Sequence, residues 1–461
     1  MGDYSDYLGT EKITKLLMKM SVPATVAMMV QALYNIVDTI FVGRTVGIMG
    51  IAGLTIVFPI QMLILAFAQS IGVSGSSIIS RNLGASNINR AHITFTNVLS
   101  LVIILSAILI LILSLFMIPV LRVFGATGTI LPYSKEYLEI IIIGIPFFVF
   151  AVAGNNISRA EGNPKVAMNT MLISAGLNTV LDILFIFGFG MGIRGAALAT
   201  VIAQVSMALY LGYYFFGGKS SLKLKLEKIK IEWNLLREIL SLGTSSFARQ
   251  ASASFMIVLI NNIIVIYAGD ITIAAYGAVN RLVMFAYMPM FGIVQGLQPI
   301  VGYNYGSCQF SRVVESVKLS FKTTTAISLF TFLAFMFIPE QLISIFSSDK
   351  ELNIIGIEAL RIISIALPLV GFQLVGAGFY QALGKAVPAF LLATSRQVLF
   401  FVPIVLVLPA FFGLKGIWFS FPIADILAFL LTVFLVKGEI KNLNSEFINL
   451  KVAKEAVYSD C

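Results

Sequence analysis

Asn82-Leu83-Gly84 followed by Arg90 returns 222 residues later as Asn304-Tyr305-Gly306 followed by Arg312. One offset held over more than a hundred residues indicates an internal duplication. In membrane proteins, two fused repeats around a central cleft are a common arrangement of transporters. Other positions repeat at an offset of 222, or of 221 past Gly384: Ile145-Pro146 with Leu367-Pro368, Ala160 with Ala382, Gly162 with Gly384, and Gly195 with Gly416.

The composition is that of an integral membrane protein. The chain is 58% hydrophobic and 11% charged, with a mean hydropathy of +0.95, whereas soluble domains carry about 25% charged residues. Apolar runs of about 20 residues, enough to cross the hydrocarbon core, recur along the chain. The sequence predicts an all-α fold with twelve transmembrane helices in two pseudo-symmetric six-helix lobes, at 21–43, 50–80, 92–118, 134–158, 164–188, 194–216, 235–268, 271–303, 312–338, 352–383, 386–411 and 414–437.

The basic residues orient these helices. Of 31 Lys and Arg, 21 fall in inner loops and 7 in outer loops if the N-terminus is inside, which is the bias expected of cytoplasmic loops. We therefore expect a multi-pass protein of the plasma membrane with both termini cytoplasmic. The net charge of +9 reflects this loop bias and does not indicate nucleic-acid binding.

The repeats and loops divide the chain into four predicted parts. They are an N-terminal lobe at 1–217, a cytoplasmic linker at 218–234, a C-terminal lobe at 235–440 and a cytoplasmic tail at 441–461. The alternation of Leu and Lys over 222–226 is compatible with a strand or with a basic linker on anionic headgroups. In residues 10–20, helical spacing puts the apolar residues on one face and the lysines on another. This pattern fits either a helix on the inner leaflet or the first turns of helix one.

Two polar stripes of the first half each end in a carboxylate. Their members follow helical spacing, so each stripe lies on one face of its helix. They are Gln31, Tyr34, Asn35 and Asp38 on helix one, and Ser174, Asn178 and Asp182 on helix five. Because ionisable groups inside a bilayer are costly and usually functional, we expect the two stripes to face each other.

The depths of three polar residues support one common site. Asp38, Asp182 and Thr200 of helix six each lie five or six residues from the predicted outer end of their helix, or roughly 7–9 Å below the boundary. With Asn178, they offer oxygen ligands for a proton or a hard cation such as Na⁺. Two close carboxylates also suppress each other's ionisation. The alternative is that each Asp pairs with an amide to fix helix packing.

The second half does not repeat these acids. The position of Asp38 falls near Ile260 and that of Asp182 near Pro403. Arg396 and Asp425 each lie about ten residues into their helices, and we interpret them as a structural ion pair. Arg249 and Arg281 have no evident partner and are candidates to face a cleft. Pro23 precedes Asp38 on helix one and removes a backbone hydrogen bond, so it is a candidate hinge.

Little in the sequence suggests a metal or a cofactor. Cys308 and Cys461 form no disulfide framework, and His92 has no ligand partners at metal-site spacing. We expect no cofactor, no catalytic residue and no metal beyond a coupling Na⁺ at Asp38 and Asp182. The chain is thus expected to be a monomeric membrane protein and not an enzyme.

Several segments together resemble the multidrug and toxic compound extrusion family over nearly the whole chain. The segments that carry the resemblance are Tyr34-Asn35-Ile36-Val37-Asp38 with Phe41-Val42-Gly43, Ser80-Arg81-Asn82-Leu83-Gly84-Ala85, Ser158-Arg159-Ala160-Glu161-Gly162-Asn163-Pro164, and Gly176-Leu177-Asn178-Thr179-Val180-Leu181-Asp182 with Gly195-Ala196-Ala197. The resemblance implies a two-lobed bundle that expels amphipathic organic compounds in exchange for H⁺ or Na⁺.

The resemblance also implies where the coupling site lies. Asp38, Asn178, Asp182 and Thr200 match the branch whose cation site is in the N-terminal lobe. Gln31, Tyr34, Asn35, Asn155 and Ser174 are further candidates for the cation site or the substrate cleft.

Other functions remain open from the sequence. A flippase for lipid-linked sugars shares the two-lobe architecture, and Arg249 with Arg281 would suit its basic cavity. An intramembrane aspartyl protease would also use two Asp residues, but Val37 precedes Asp38 and the Gly-x-Gly-Asp signature is absent. A passive channel would show no carboxylate-dependent coupling.

Overall fold

Helices form the regular structure of the chain. The computed structural model describes the backbone of residues 6–45, 48–223, 232–346 and 349–459; the side chains at 34–40, 42–45, 48, 270, 447, 449 and 450 and beyond 450 lie outside the description. Every regular element in these ranges is helical, and eleven of the helices are long and apolar enough to cross a membrane. The predicted all-α membrane fold is confirmed.

The first half contains six spanning helices and two short ones. The elements are α1 (Asp6–Thr10), α2 (Ile13–Thr45), α3 (Ile48–Gly84), α4 (Ile88–Leu115), α5 (Met117–Val123), α6 (Leu131–Ala160), α7 (Pro164–Asp182) and α8 (Gly192–Phe216). A π-helical segment, Ile183–Gly188, continues α7. The predicted inner-leaflet helix at 10–20 is not separate, because α2 begins at Ile13 and buries Ile13, Leu16 and Met20. Those residues are the first turns of helix one.

The second half repeats this order. Its elements are α9 (Trp233–Tyr267), α10 (Asp270–Gly306), α11 (Phe310–Phe337), α12 (Pro339–Ser344), α13 (Lys350–Ile363), α14 (Leu367–Leu383), α15 (Ala386–Thr394) and α16 (Val402–Ser459). A π-helical segment, Ser395–Phe401, joins α15 to α16. Within α16, Gly413 has φ +56° and ψ −136°, which breaks the helix. This break separates the last two predicted spans, so the twelve-helix count agrees with the structure.

Two compact units divide the chain. Unit 1 takes Met1–Tyr7 and Val26–Gln250, and unit 2 takes Leu8–Thr25 and Ala251–Cys461. The predicted lobes place 8–25 in the N-terminal lobe and 235–250 in the C-terminal lobe, whereas the contacts assign each segment to the other half's unit. The start of each repeat's first helix therefore packs with the opposite repeat.

Unit 2 holds the segment just before α2 through polar contacts at the repeated Asn and Arg. The Arg312 guanidinium donates to the main-chain carbonyls of Leu8, over 3.2 Å, and Glu11, over 2.7 Å. Asn304 Nδ2 donates to the same Leu8 carbonyl over 2.9 Å and Asn304 Oδ1 accepts from Arg312 Nε over 2.9 Å. Hydrogen bonds to a charged donor are the stronger ones, so these two residues fix the N-terminal segment on unit 2.

Unit 1 holds the start of α9 in the equivalent way. Arg90, which matches Arg312 in the repeat, pairs with Glu232, and Arg81 NH2 lies 2.8 Å from Glu238 Oε1. Deeper in the unit, a Cβ on Gly243 would lie 2.9 Å from the main-chain oxygen of Ser70. Small residues at such crossings let membrane helices approach closely, so glycine is required at this position.

The loop after α10 offers a test of the predicted orientation. Cys308 is an exposed free cysteine, and we expect it to react with an impermeant maleimide in inverted vesicles but not in intact cells, because the charge bias puts this loop inside. The measurement is gel-shift labelling in a Cys461→Ser background, with Cys308→Ser as the blank. Labelling of intact cells would mean that the orientation is reversed.

Candidate cation site in unit 1

The C-terminal turns of α7 and the adjacent α8 bring three of the predicted residues together. Asp182 is 0% exposed, Asn178 1% and Thr200 7%. In the amide orientation that satisfies both of its atoms, Asn178 Nδ2 donates to Asp182 Oδ2 over 3.0 Å, and its Oδ1 accepts from the Thr200 main-chain N–H over 3.3 Å. Asn178 thus links the acid to α8, and these three residues form a buried oxygen-rich group.

The helix changes type directly after the acid. Asp182 is the last α-helical residue of α7, and the π-helical segment Ile183–Gly188 begins next to it. A π-helical segment is rare and is found mostly at functional positions in helices. It also leaves carbonyl groups out of the regular i→i−4 pattern close to the site. Hydropathy and spacing gave no signal for this segment.

The other predicted members of the site either lie outside the contacts described for this group or have side chains outside the described residues. The side chains of Tyr34, Asn35 and Asp38 lie outside the described residues, although α2 is helical there. Gln31 is partly buried and has polar or other contacts of its own. That Asp38 faces Asp182 stays a prediction.

Two amides of unit 1 have side-chain atoms without a hydrogen-bond partner among the described residues. Asn155 on α6 is buried, and neither its Nδ2 nor its Oδ1 has a partner. Gln204 Oε1 on α8 also lacks one, and it packs directly on Gly144 of α6, where a Cβ would displace the Gln204 side chain. Gln204 lies one turn from Thr200 on the same face of α8. Sequence reasoning missed it, although this i, i+4 spacing was a usable signal, while Ser174 is only partly buried on α7.

The helix that carries the candidate hinge is continuous at that residue. Pro23 lies inside α2, which stays helical from Ile13 to Thr45. The chain passes from unit 2 to unit 1 between Thr25 and Val26, shortly after Pro23. The missing hydrogen bond of a proline thus coincides with the place where one helix joins two units.

In unit 2, the two residues predicted to pair lie in contact. Arg396 Nε is 2.5 Å from Asp425 Oδ1, with the two side chains 18% and 4% exposed. Arg396 also donates to the Tyr287 hydroxyl over 2.6 Å. Of the other two arginines, Arg249 is partly buried and engaged in contacts, and Arg281 is exposed.

A buried acid that the sequence analysis did not single out holds the start of the linker. Glu161, at the end of α6, accepts through Oε1 from Ser220 Oγ over 2.7 Å, from Ser221 Oγ and N over 2.9 Å, and from Leu222 N over 3.1 Å. Tyr214 OH donates to Oε2 over 3.1 Å. Burial raises the pKa of the Glu161 carboxyl, and the hydrogen bonds oppose this rise. The Lys223 main-chain N–H donates to His92 Nδ1 over 3.0 Å, so this anchor extends to α4.

The fold and this site together define a two-repeat, multi-pass membrane transporter. Residues 23–184 and 250–407 match the family model MatE. The chain therefore belongs to the MatE family, the multidrug and toxic compound extrusion transporters, whose members are transporters and not enzymes.

Relatives match over nearly their full lengths. The multidrug export protein MepA of Staphylococcus aureus strain MRSA252 is 27% identical over 96% of this chain and 98% of its own length. MepA of Staphylococcus haemolyticus strain JCSC1435 is 26% identical, over 93% and 94%. Among solved structures, a complex of the MATE multidrug transporter DinF-BH is 45% identical, covers 95% of this chain and 98% of its own, and superposes with a TM-score of 0.88. A MATE structure in the bent conformation is 26% identical, covers 97% of this chain and 100% of its own, and superposes with a TM-score of 0.92.

Separating Arg396 from Asp425 should cost stability. Removing one partner of a buried pair leaves an uncompensated charge that costs about 3–5 kcal/mol. We expect Arg396→Ala and Asp425→Ala each to lower the melting temperature of the purified protein, and the double variant to recover part of the loss, because the two changes are coupled. Strictly additive losses would contradict a coupled pair.

The Glu161 anchor predicts a protease-sensitive and pH-dependent variant. Glu161→Gln replaces one acceptor oxygen by a donor facing N–H and O–H groups, so we expect faster tryptic cleavage after Lys219 and Lys223. Glu139→Gln, in the exposed Lys135–Glu139 pair, is the matched control. Because the folded pKa of Glu161 is raised, its contribution to stability is complete below the usual pKa and is lost as pH rises through the raised value. The Gln variant should lack this decline in melting temperature, and an unchanged profile would exclude Glu161 as its source.

Proposed function

We propose that this chain exports amphipathic organic compounds across the plasma membrane in exchange for H⁺ or Na⁺. The observation that carries the proposal is the fully buried Asp182, held by Asn178 against Thr200. The relatives named multidrug export proteins, and the solved multidrug transporter DinF-BH, support export of such compounds. On this proposal both termini are cytoplasmic and the protein works as a monomer.

The donor set suits a coupling ion. The Asp182 carboxylate and the Thr200 hydroxyl are hard oxygen ligands that Na⁺ accepts, rotation of the Asn178 amide would add a third, and the carboxylate alone accepts a proton. Asp182 lies inside α7, where an ion bound to its carboxylate removes the cost of a buried negative charge. In the proposal Asp38 supplies the second carboxylate, as the family resemblance implies.

Coupling requires that ion occupancy favour one conformation. A ligand bound equally well in two states shifts neither. We place the change in α2, because this helix carries Asp38 and joins unit 2 to unit 1 just past Pro23. Ion uptake from outside would bend α2 near Pro23, narrow the cleft and release substrate outward. Substrate would then rebind from inside in the ion-free form, which gives alternating access.

Transport by acid variants tests the mechanism. We expect Asp38→Asn and Asp182→Asn to abolish dye efflux driven by an imposed H⁺ or Na⁺ gradient in proteoliposomes, with folding retained, because neither amide can take up and release the ion. Thr200→Ala should weaken the ion dependence only partly, since it removes one neutral ligand. Separate H⁺ and Na⁺ gradients identify the ion.

Asn155→Leu is a useful companion variant. It removes a buried amide with no partner, so melting temperature should stay level or rise while any ion dependence that uses this amide falls. Full gradient-driven transport by Asp38→Asn and Asp182→Asn would move the coupling site out of the N-terminal lobe.

A further inference from the structure

A second group of buried polar side chains lies in unit 2, away from the candidate cation site. It consists of Tyr276, Tyr287, Gln373, Arg396 and Asp425, called the core polar cluster below. These residues lie beside the apolar core of unit 2, which includes Val279, Val283, Val370, Phe401 and Phe421. Polar groups in such surroundings need partners.

The core polar cluster is only partly satisfied. Arg396 bonds Asp425 and Tyr287, and its guanidinium carbon lies 5.0 Å from the Tyr287 ring centroid. Gln373 Nε2 donates to the Asp425 main-chain carbonyl over 2.6 Å. Yet Gln373 Oε1 and the Tyr276 hydroxyl, both on buried residues, have no hydrogen-bond partner among the described residues.

A third group without a partner lies next to the cluster. Trp418 is fully buried, and within the described part of the chain its indole N–H has no acceptor. Trp418, Phe421 and Asp425 follow i, i+3, i+7 spacing on α16 and share one face. The Tyr276 ring stacks on Trp418 and packs on Phe421, with both centroid distances 6.1 Å. The Trp418 indole N–H thus lies on the α16 face that carries Asp425, and the Tyr276 ring of α10 packs on that face.

Stability alone explains the pair poorly. A buried ion pair is often no better than apolar residues of the same volume, because the desolvation cost offsets the attraction. Charges inside a membrane are retained mainly for function. Arg396 lies in the π-helical segment Ser395–Phe401, a helix type that concentrates at functional positions. The equivalent helix of the first repeat has its π-helical segment beside Asp182.

We propose that the Arg396–Asp425 pair is exchangeable, and that the core polar cluster binds the carboxylate of an organic anion. The anion's carboxylate takes the place of Asp425 on the Arg396 guanidinium, and the displaced Asp425 carboxylate takes one proton from solvent. No covalent bond other than that O–H forms, and the net charge of the cluster is unchanged. Anion binding is therefore linked to uptake of one proton.

Access and donors both fit this exchange. Arg396 keeps 18% of its side-chain surface exposed while Asp425 keeps 4%, so the cation is the reachable partner. A guanidinium has five N–H donors in a planar fork that suits a carboxylate. The Tyr276 hydroxyl, which has no partner among the described residues, is a further donor for the anion.

Few other charges act on the exchange. Tyr276 and Tyr287 come from α10 and Gln373 from α14, while Arg281 and Arg361 are exposed. Lys415 pairs with Glu358 over 3.2 Å, and Lys385 pairs with Glu439 over 2.6 Å. Asp425 is thus the acid that contacts Arg396 among the described residues.

The inference rests on the proposed export function. It adds anionic aromatic compounds to the substrates of that function. Binding is measured without any ion gradient, so failure of gradient-driven efflux at Asp38 or Asp182 would not affect the result. Conversely, loss of anion binding here would leave ion-driven export at the first site intact.

Calorimetric titration of the protein in lipid nanodiscs tests the proposal. The probes are 2-naphthoate and its neutral isostere 2-naphthamide, each in two buffers of different ionisation enthalpy, which counts the protons taken up. We expect the wild type to prefer naphthoate and to take up about one proton per naphthoate. Asp425→Asn should bind naphthoate more tightly, by about 5- to 150-fold as for typical coupled equilibria, and without proton uptake.

Further variants separate binding from folding. Arg396→Gln should erase the preference for naphthoate, and so should the charge-neutral double variant Arg396→Gln with Asp425→Asn, which serves if Asp425→Asn does not fold. Tyr276→Phe should weaken naphthoate binding without lowering the melting temperature, since it removes an unpartnered hydroxyl. Glu358→Gln, the same chemical change on α13, should alter nothing. Equal binding of the two probes by the wild type, or no proton uptake with naphthoate, would overturn the proposal.

Discussion

The cost of an ionised group in hydrocarbon governs the organisation of this chain. On insertion scales a charge at the centre of a membrane helix costs about 2.5–3.5 kcal/mol, so each buried charge must have a partner, a ligand or a function. The two halves meet this requirement differently. The first half places Asp182 against the Asn178 amide, which in turn bonds the Thr200 main chain, and the second half opposes Arg396 to Asp425. One set can change its charge by binding a small cation, whereas the other is neutral as it stands.

The duplication explains why the Asp182 group and the Arg396–Asp425 pair lie on corresponding helices of the two repeats. Asp182 and Arg396 lie on helices five and eleven, and each has a π-helical segment at its charged residue. The partners, Thr200 and Asp425, come from the next helix in each repeat. The scaffold is thus shared while the chemistry has diverged, which is how one fold commonly supports different sites.

Much of the fold follows from patterns visible in the sequence. Apolar run lengths locate the spans, because a helix must cross about 30 Å of hydrocarbon, but they miss the start of α2 at Ile13 and the extension of α16 to Ser459. The i, i+4 spacing of Asn178 and Asp182 and the depth of Thr200 predict from the sequence that these residues lie close together. Spacing also proposed the contact between Arg396 and Asp425. The contacts between these residues depend on local helix geometry and on the energy of buried charge, whereas the roles assigned to them stay predictions.

The features that the sequence did not reveal depend on tertiary contacts. The π-helical segments have no compositional mark, since Ile183–Gly188 reads as an ordinary apolar run. Glu161 lay within a quoted motif, but its role as an anchor depends on main-chain donors at Ser221 and Leu222. Residues 10–20 were equally compatible with two positions, and only the burial of Ile13, Leu16 and Met20 decides between them. The placement of Asp38 against Asp182 stays a prediction.

The exchange of N-terminal segments has a consequence for biosynthesis. Residues 8–25 complete unit 2, which begins at Ala251, so Arg312 and Asn304 reach their carbonyl partners only after more than two hundred further residues have been made. Domains usually fold in the order of synthesis. Here residues 8–25 can pack only after the second half of the chain has been made. During that interval Leu8, Leu16 and Met20 lack the surface that later buries them. A ribosome-bound chain that stopped after α8 would hold an incomplete first unit as well, since 233–250 would be missing, so neither half can be a finished folding unit by itself.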